Sequence, residues 1–144
     1  MKNPLAALLL ALTLCSHALA ESKVIGDYTV HFIAVNSTFL NPKIAEQYDI
    51  KRSKRGAFVN VAVLRNNADG KTTPVTATLS GEKKNLMGQS APIPFVEIRE
   101  GDSIYYIGQF AFSNAETLHL SVQVQPEGKG QAYPVTWTTQ LYSD

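Results

Sequence analysis

Cysteine is almost missing from this chain: Cys15 is the single one. It lies in an N-terminal stretch that reads as a removable secretion signal. The mature chain is therefore expected to have no disulfide, no thiol nucleophile and no thiolate-held metal. Long apolar runs are missing too. The run at residues 5–14 is ten residues long, about half of the roughly 20 that a membrane-spanning helix needs. A dominant charge is also lacking. The chain has 13 Lys and Arg against 12 Asp and Glu. Lys2 leaves with the signal, so residues 21–144 balance at zero. That balance gives no whole-molecule attraction to nucleic acid or anionic lipid. Phosphate loops, dinucleotide fingerprints, HExxH and GxSxG elements are all absent.

What is present begins with the signal itself. Lys2 gives the positive start, residues 5–14 the apolar middle, and Ala18-Leu19-Ala20 the small residues before a cut ahead of Glu21. Leu14 stands where a lipoprotein needs a small residue before its cysteine, so lipidation of Cys15 is not expected. The chain divides into a cleavable signal at 1–20 and one domain at 21–144. A domain of that length can bury a normal core. After cleavage it is not expected to span a membrane.

Period-two alternation then dominates, the mark of half-buried strands. Tyr28, Val30, Phe32 and Ala34 share one face. Val59, Val61 and Val63 share another, and Phe58, Ala62 and Leu64 make the reverse side apolar too, as in a central strand. Further strands are predicted around Val75, Ala77 and Leu79, around Ile93 and Phe95, over Ile104 to Phe112, over Leu118 to Val124, and over Tyr133 to Leu141. Pro92 and Pro94 place the fourth at an edge, because proline cannot donate to the ladder. Turn residues punctuate them at 66–70, 100–102, 113–116 and 126–130. One short helix is predicted, capped by Asn41 with Pro42 at its first position. It is too short to stand alone and must pack on a sheet. The fold class is all-β: an immunoglobulin-like antiparallel β-sandwich of about seven strands with one short helix. A small β-barrel is the alternative.

Chemistry is sparse. His17 leaves with the signal. His31 and His119 lie on polar faces of different strands, and Met87 is the one methionine of the mature chain. No metal site and no cofactor are expected from this set. Glu97, Glu100 and Asp102 cluster at one strand–turn–strand corner. A glycosidase-like pair would need two facing carboxylates, and an ordinary polar turn explains the cluster as well. The basic run Lys51-Arg52-Ser53-Lys54-Arg55 stands out. It could hold a phosphate, a carboxylate or a lipid headgroup, or it could be a solvated loop guarding a strand end. Asn36, Phe39 and Tyr48 lie close by in sequence. The candidate binding residues are thus Asn36, Phe39, Tyr48, Arg52, Lys54 and Arg55. Asn36-Ser37-Thr38 also matches a glycosylation acceptor, or closes the first strand by side-chain bonding.

Several segments together carry a resemblance: Gly26-Asp27-Tyr28, Tyr48-x-Ile50 with Arg52-Ser53-Lys54, Asn85-Leu86-x-Gly88-Gln89, Ile98-Arg99-Glu100-Gly101-Asp102, and Val122-Gln123-Val124-Gln125-Pro126. In these the chain resembles the bacterial family known as domain of unknown function 4426, over the whole mature length. The resemblance implies an exported, periplasmic protein of a Gram-negative bacterium. It implies no activity, cofactor or catalytic residues. The resulting expectation is a non-catalytic binding or interaction module. Its partner would be a small anionic ligand or an envelope protein, and nucleic acid is not expected. The alternatives are a periplasmic chaperone or assembly factor that pairs a strand edge with its client, and a hydrolase using Glu97, Glu100 or Asp102.

Overall fold

The computed structural model describes residues 20–143. Residues 1–19 of the expected signal, with Cys15 and His17, lie outside the described residues. Alternation of side chains builds two antiparallel sheets. The first runs β1 (Glu21–Ile25), β2 (Tyr28–Asn36), β3 (Gly56–Asn66), β8 (Ser103–Ala111) and β7 (Phe95–Glu100), with β4 (Thr72–Pro74) against the end of β3. The second runs β10 (Tyr133–Leu141), β9 (Glu116–Pro126), β5 (Ala77–Asn85) and β6 (Ser90–Ile93). Neither closes on itself, so the fold is a β-sandwich and the barrel alternative is set aside.

The faces turned toward each other carry the main core. Val30 and Phe32 of β2, Val59, Val61 and Val63 of β3, and Phe110 of β8 meet Leu118, Leu120, Val122 and Val124 of β9. Phe32 and Trp137 pack tilted, with ring centroids 4.6 Å apart. Each fully buried side chain of this kind is worth roughly 1.5–3 kcal/mol in water exclusion. Several lie under 2 % exposed, so this layer holds the sheets together.

The reverse side of β3 is apolar for a different reason. Residues 37–55 cross over the outer face of the first sheet. This segment holds a 3-10 turn (Ser37–Phe39) and the predicted helix α1 (Pro42–Gln47). Asn41 caps α1, its side chain accepting from the Ile44 amide at 2.8 Å. Leu40, Ala45 and Ile50 then cover Ile33, Val35, Phe58, Ala62 and Ile107 in a second core.

Ten strands are present among the described residues rather than about seven. β1 and β4 are additions to the strands that the sequence predicts. The predicted fourth strand is two strands in different sheets, β6 and β7, with the change of sheet at Pro94. Both are edges; β6 carries Pro92, which suits an edge, and Pro94 lies between the two strands. The crossover needs room between the layers. A Cβ on Gly81 would meet the Phe95 ring at 2.6 Å, and one on Gly108 would meet Ile93 Cγ2 at 2.6 Å. Glycine at both positions lets the crossover lie in the core. Tyr106, beside it, accepts from the Ala77 amide at 2.9 Å and donates to Glu97 at 2.8 Å. One phenol thereby ties β8, β7 and the start of β5.

Candidate functional site

The basic run does not float free. The buried Ser37 hydroxyl accepts from the Ser53 amide at 2.9 Å and donates to the Ser53 carbonyl at 3.0 Å. Arg52 donates through Nε to the Leu40 carbonyl at 2.7 Å and through Nη2 to the Thr38 carbonyl at 3.3 Å. Gln109 of β8 grips the run from below. Its Oε1 accepts from the Lys51 amide at 2.9 Å and its Nε2 donates to the Asp49 carbonyl at 3.0 Å. The Phe112 amide donates to the Arg55 carbonyl at 2.9 Å. Side chain and backbone thus hold 51–55 against the 3-10 turn and the end of β8.

That anchoring sets Arg55 on the rim of an open cleft of about 480 Å³. The cleft lies at the end of the sandwich, between the sheets. Arg55 and Ala111 stand on the first-sheet side, and Lys83, Asn85, Ser90 and Glu116 on the second-sheet side. Phe112 and Leu118 supply apolar wall. A neighbouring groove of about 270 Å³ shares Arg55 and adds Lys51, Ser53 and Gln109. Lys83 is preorganised: its Nζ donates to the Ala111 carbonyl and sits 6.0 Å from the Phe110 ring centroid. Glu116 accepts from the Ser113 amide at 3.0 Å. Two cations and one partly occupied carboxylate therefore face the same space. Such a set can take up an anion through charge-assisted bonds.

The other candidate residues are placed elsewhere or used otherwise. Arg52 spends its guanidinium on backbone carbonyls. Asn36 donates to the Tyr142 carbonyl at 2.6 Å. Tyr48 donates to Glu100 at 3.2 Å, and Glu100 ends β7 beside the β7–β8 turn, away from the cleft. Burial first, then that bond, pushes the Tyr48 phenol up to about 12, so it stays neutral. Phe39 is partly exposed on the 3-10 turn, and Lys54 is exposed beside Arg55. Of the six, Arg55 alone lines the cleft. Lys83, Asn85, Ser90 and Glu116 carry no binding signal in the sequence. The Asn85 to Gln89 segment carries only the family resemblance in sequence.

At the acidic corner Glu97 and Glu100 do not face each other. Glu97 and Glu100 are three apart on β7, so they point to opposite faces. Glu97 accepts from Arg99 at 2.8 Å and from Tyr106, and both bonds hold its carboxyl below the ordinary range. His31 lies on the outer face of the first sheet and His119 on the outer face of the second, where Nδ1 meets Thr138 Oγ1 at 2.8 Å. The whole sandwich separates them. Among the described residues no group of three or more His, Cys, Asp or Glu could hold a metal ion. At the opposite end of the sandwich from the cleft, Glu127 bonds Arg65 at 2.7 Å and accepts from Tyr28, closing β2 and β3 onto the loop after β9.

The profile of a family described as a domain of unknown function, DUF4426, matches residues 22–144. A crystal structure of a DUF4426 family protein from Pseudomonas aeruginosa PAO1 is 31% identical, covers 87% of this chain and 96% of its own, and gives a TM-score of 0.73. FetP of uropathogenic Escherichia coli strain F11, produced in the periplasm, is 10% identical over 88% of this chain and 95% of its own, with a TM-score of 0.60. A copper-bound variant of FetP matches with the same identity and TM-score. FetP thus shares the fold alone. No curated protein matches the chain.

Proposed function

The chain belongs to the DUF4426 family, and on that premise we propose that it is a non-catalytic periplasmic binding domain whose end cleft captures a small anionic ligand. The observation that carries this is the cleft opening beside the anchored basic run, with Arg55 on its rim and Lys83 across from it. Export is supported by the signal pattern at 1–20 and by the fold shared with a protein produced in the periplasm. The reading assigns no metal, because the two histidines stand on opposite outer faces and the acidic corner splits its carboxylates. Strand addition to a client finds less support. β6 carries Pro92, β10 carries Pro134, and β1 is tied through Lys23 Nζ to the Pro134 carbonyl at 2.9 Å.

Titration calorimetry against phosphate, sulfate and small carboxylates tests the proposal. Saturable binding of at least one anion is expected, weakened about 10–100-fold in Arg55→Glu, the worth of a lost charged hydrogen bond. Arg52 is left intact, since it holds the 3-10 turn. Absence of binding by the native protein, or undiminished binding by Arg55→Glu, would overturn it.

A further inference from the structure

The tip of the β5–β6 hairpin carries Leu86 and Met87, 72% and 81% exposed, the two most exposed of the large apolar side chains described. Two such neighbours in water on a loose loop would mean little. This tip is not loose. Asn85 Oδ1 accepts from the Met87 amide at 3.0 Å and from the Gln89 amide at 2.9 Å, and Asn85 Nδ2 donates to Gln89 Oε1 at 2.8 Å. The Gly88 amide closes on the Asn85 carbonyl at 3.1 Å, and Gly88 takes the left-handed φ of +82° that the turn needs. The turn therefore presents both apolar side chains outward in a fixed way.

The charge around the tip is mainly positive. Lys83 and Lys84 are the last side chains of the stem before Asn85. Asn85 pairs with Leu118, near the start of β9, so the tip projects from the same end of the sandwich as Arg55 and the 51–55 run. Lys51, Arg52, Lys54, Arg55, Lys83 and Lys84 thus gather at one end of a chain whose mature charge is zero. Acids stand at this end too, namely Glu116 on the cleft wall, Asp49 beside Lys51 and Glu82 further down the stem, but among the described residues the cations outnumber them.

From this geometry we propose that the hairpin tip docks the protein on an anionic lipid bilayer. Leu86 and Met87 enter the headgroup–acyl boundary while Lys84, Lys54 and Arg55 meet the lipid phosphates. An exposed two-residue apolar tip with cations behind it suits a bilayer, which yields around it. A protein partner would need a far larger flat or concave apolar face. The apolar step uses residues outside the ligand cleft, so this proposal and the anion-binding one fail separately.

The test is co-sedimentation of the purified protein with vesicles of phosphatidylcholine, alone or containing phosphatidylglycerol. Binding is expected only with phosphatidylglycerol, and it should weaken as salt shortens the reach of the charges. Leu86→Ser with Met87→Ser should lower partitioning about tenfold or more, the worth of withdrawing these side chains from an apolar phase. Both are exposed, so the melting temperature should not move. A Leu86→Trp reporter should shift its emission to the blue on anionic vesicles. No binding, equal binding to neutral vesicles, undiminished binding by the double serine variant, or self-association through this tip would each overturn the proposal.

Discussion

Replacing Asn60 with leucine should make the protein more stable. Asn60 sits in the middle of β3, 3% exposed, on the outer face that residues 37–55 cover. Its ladder neighbours on that face are Ile33 and Ile107, both apolar and buried. Among the described residues neither its Nδ2 nor its Oδ1 finds a hydrogen-bond partner. Each polar group buried in this way costs about 1–3 kcal/mol. Leucine has the same branched outline with no polar atoms, and its bulkier methyls return part of the gain as crowding, about 1 kcal/mol or more. The net expectation is a stabilisation of about 1–3 kcal/mol. For a domain of this size, each kcal/mol moves the melting midpoint by about 2–8 °C. Urea unfolding followed by tryptophan fluorescence, with the single Trp137 as probe, reads the change directly. A destabilisation of about 1 kcal/mol or more would refute the reasoning, since the amide would then be satisfied in solution by bound water.

Two further outcomes follow from hydrogen bonds in the first sheet. Tyr106→Phe removes the acceptor of the Ala77 amide and the donor to Glu97; a loss of about 1–3 kcal/mol is expected, and an unchanged urea midpoint would show that water replaces the phenol. Glu97 is held below the ordinary carboxyl value of 4.5, first by Arg99 and then by Tyr106. Its contribution is therefore complete above that value and disappears as pH falls through the lowered one. Glu97→Gln should flatten part of the acid-side decline of stability, and an identical slope in both proteins would remove Glu97 from the account.

The layers of the sandwich are legible in the residues. Alternation in β9 and β10 follows from one face being buried and the other wet. Asn41 and Pro42 announce α1 because capping is local chemistry. The doubly apolar pattern of β3 correctly signals cover on both sides. What hides is what depends on pairing. β1 exposes four of its five residues, so no periodicity marks it. β4 has three residues and ends in proline. The split of one predicted strand into β6 and β7 is a change of sheet, and alternation carries no record of partners. The cleft is hidden for the same reason. Arg55, Lys83 and Glu116 lie far apart in the chain, and only the register of β5 on β9 and β3 on β8 brings them together. The basic run is dense in charge, yet the fold uses Arg52 as a staple and leaves Arg55 to face the open space.

The Ile93-Pro94-Phe95 joint has a consequence beyond connectivity. β6 shields the outer side of β5, and β7 shields the outer side of β8. Because one short stretch of chain supplies both shields, loosening it would bare two rows of unpaired backbone groups at once, one in each layer. Such rows are the template on which separate molecules adhere to one another. The joint wedged against Gly81 and Gly108 thus keeps two sheet edges covered as well as linking the chain.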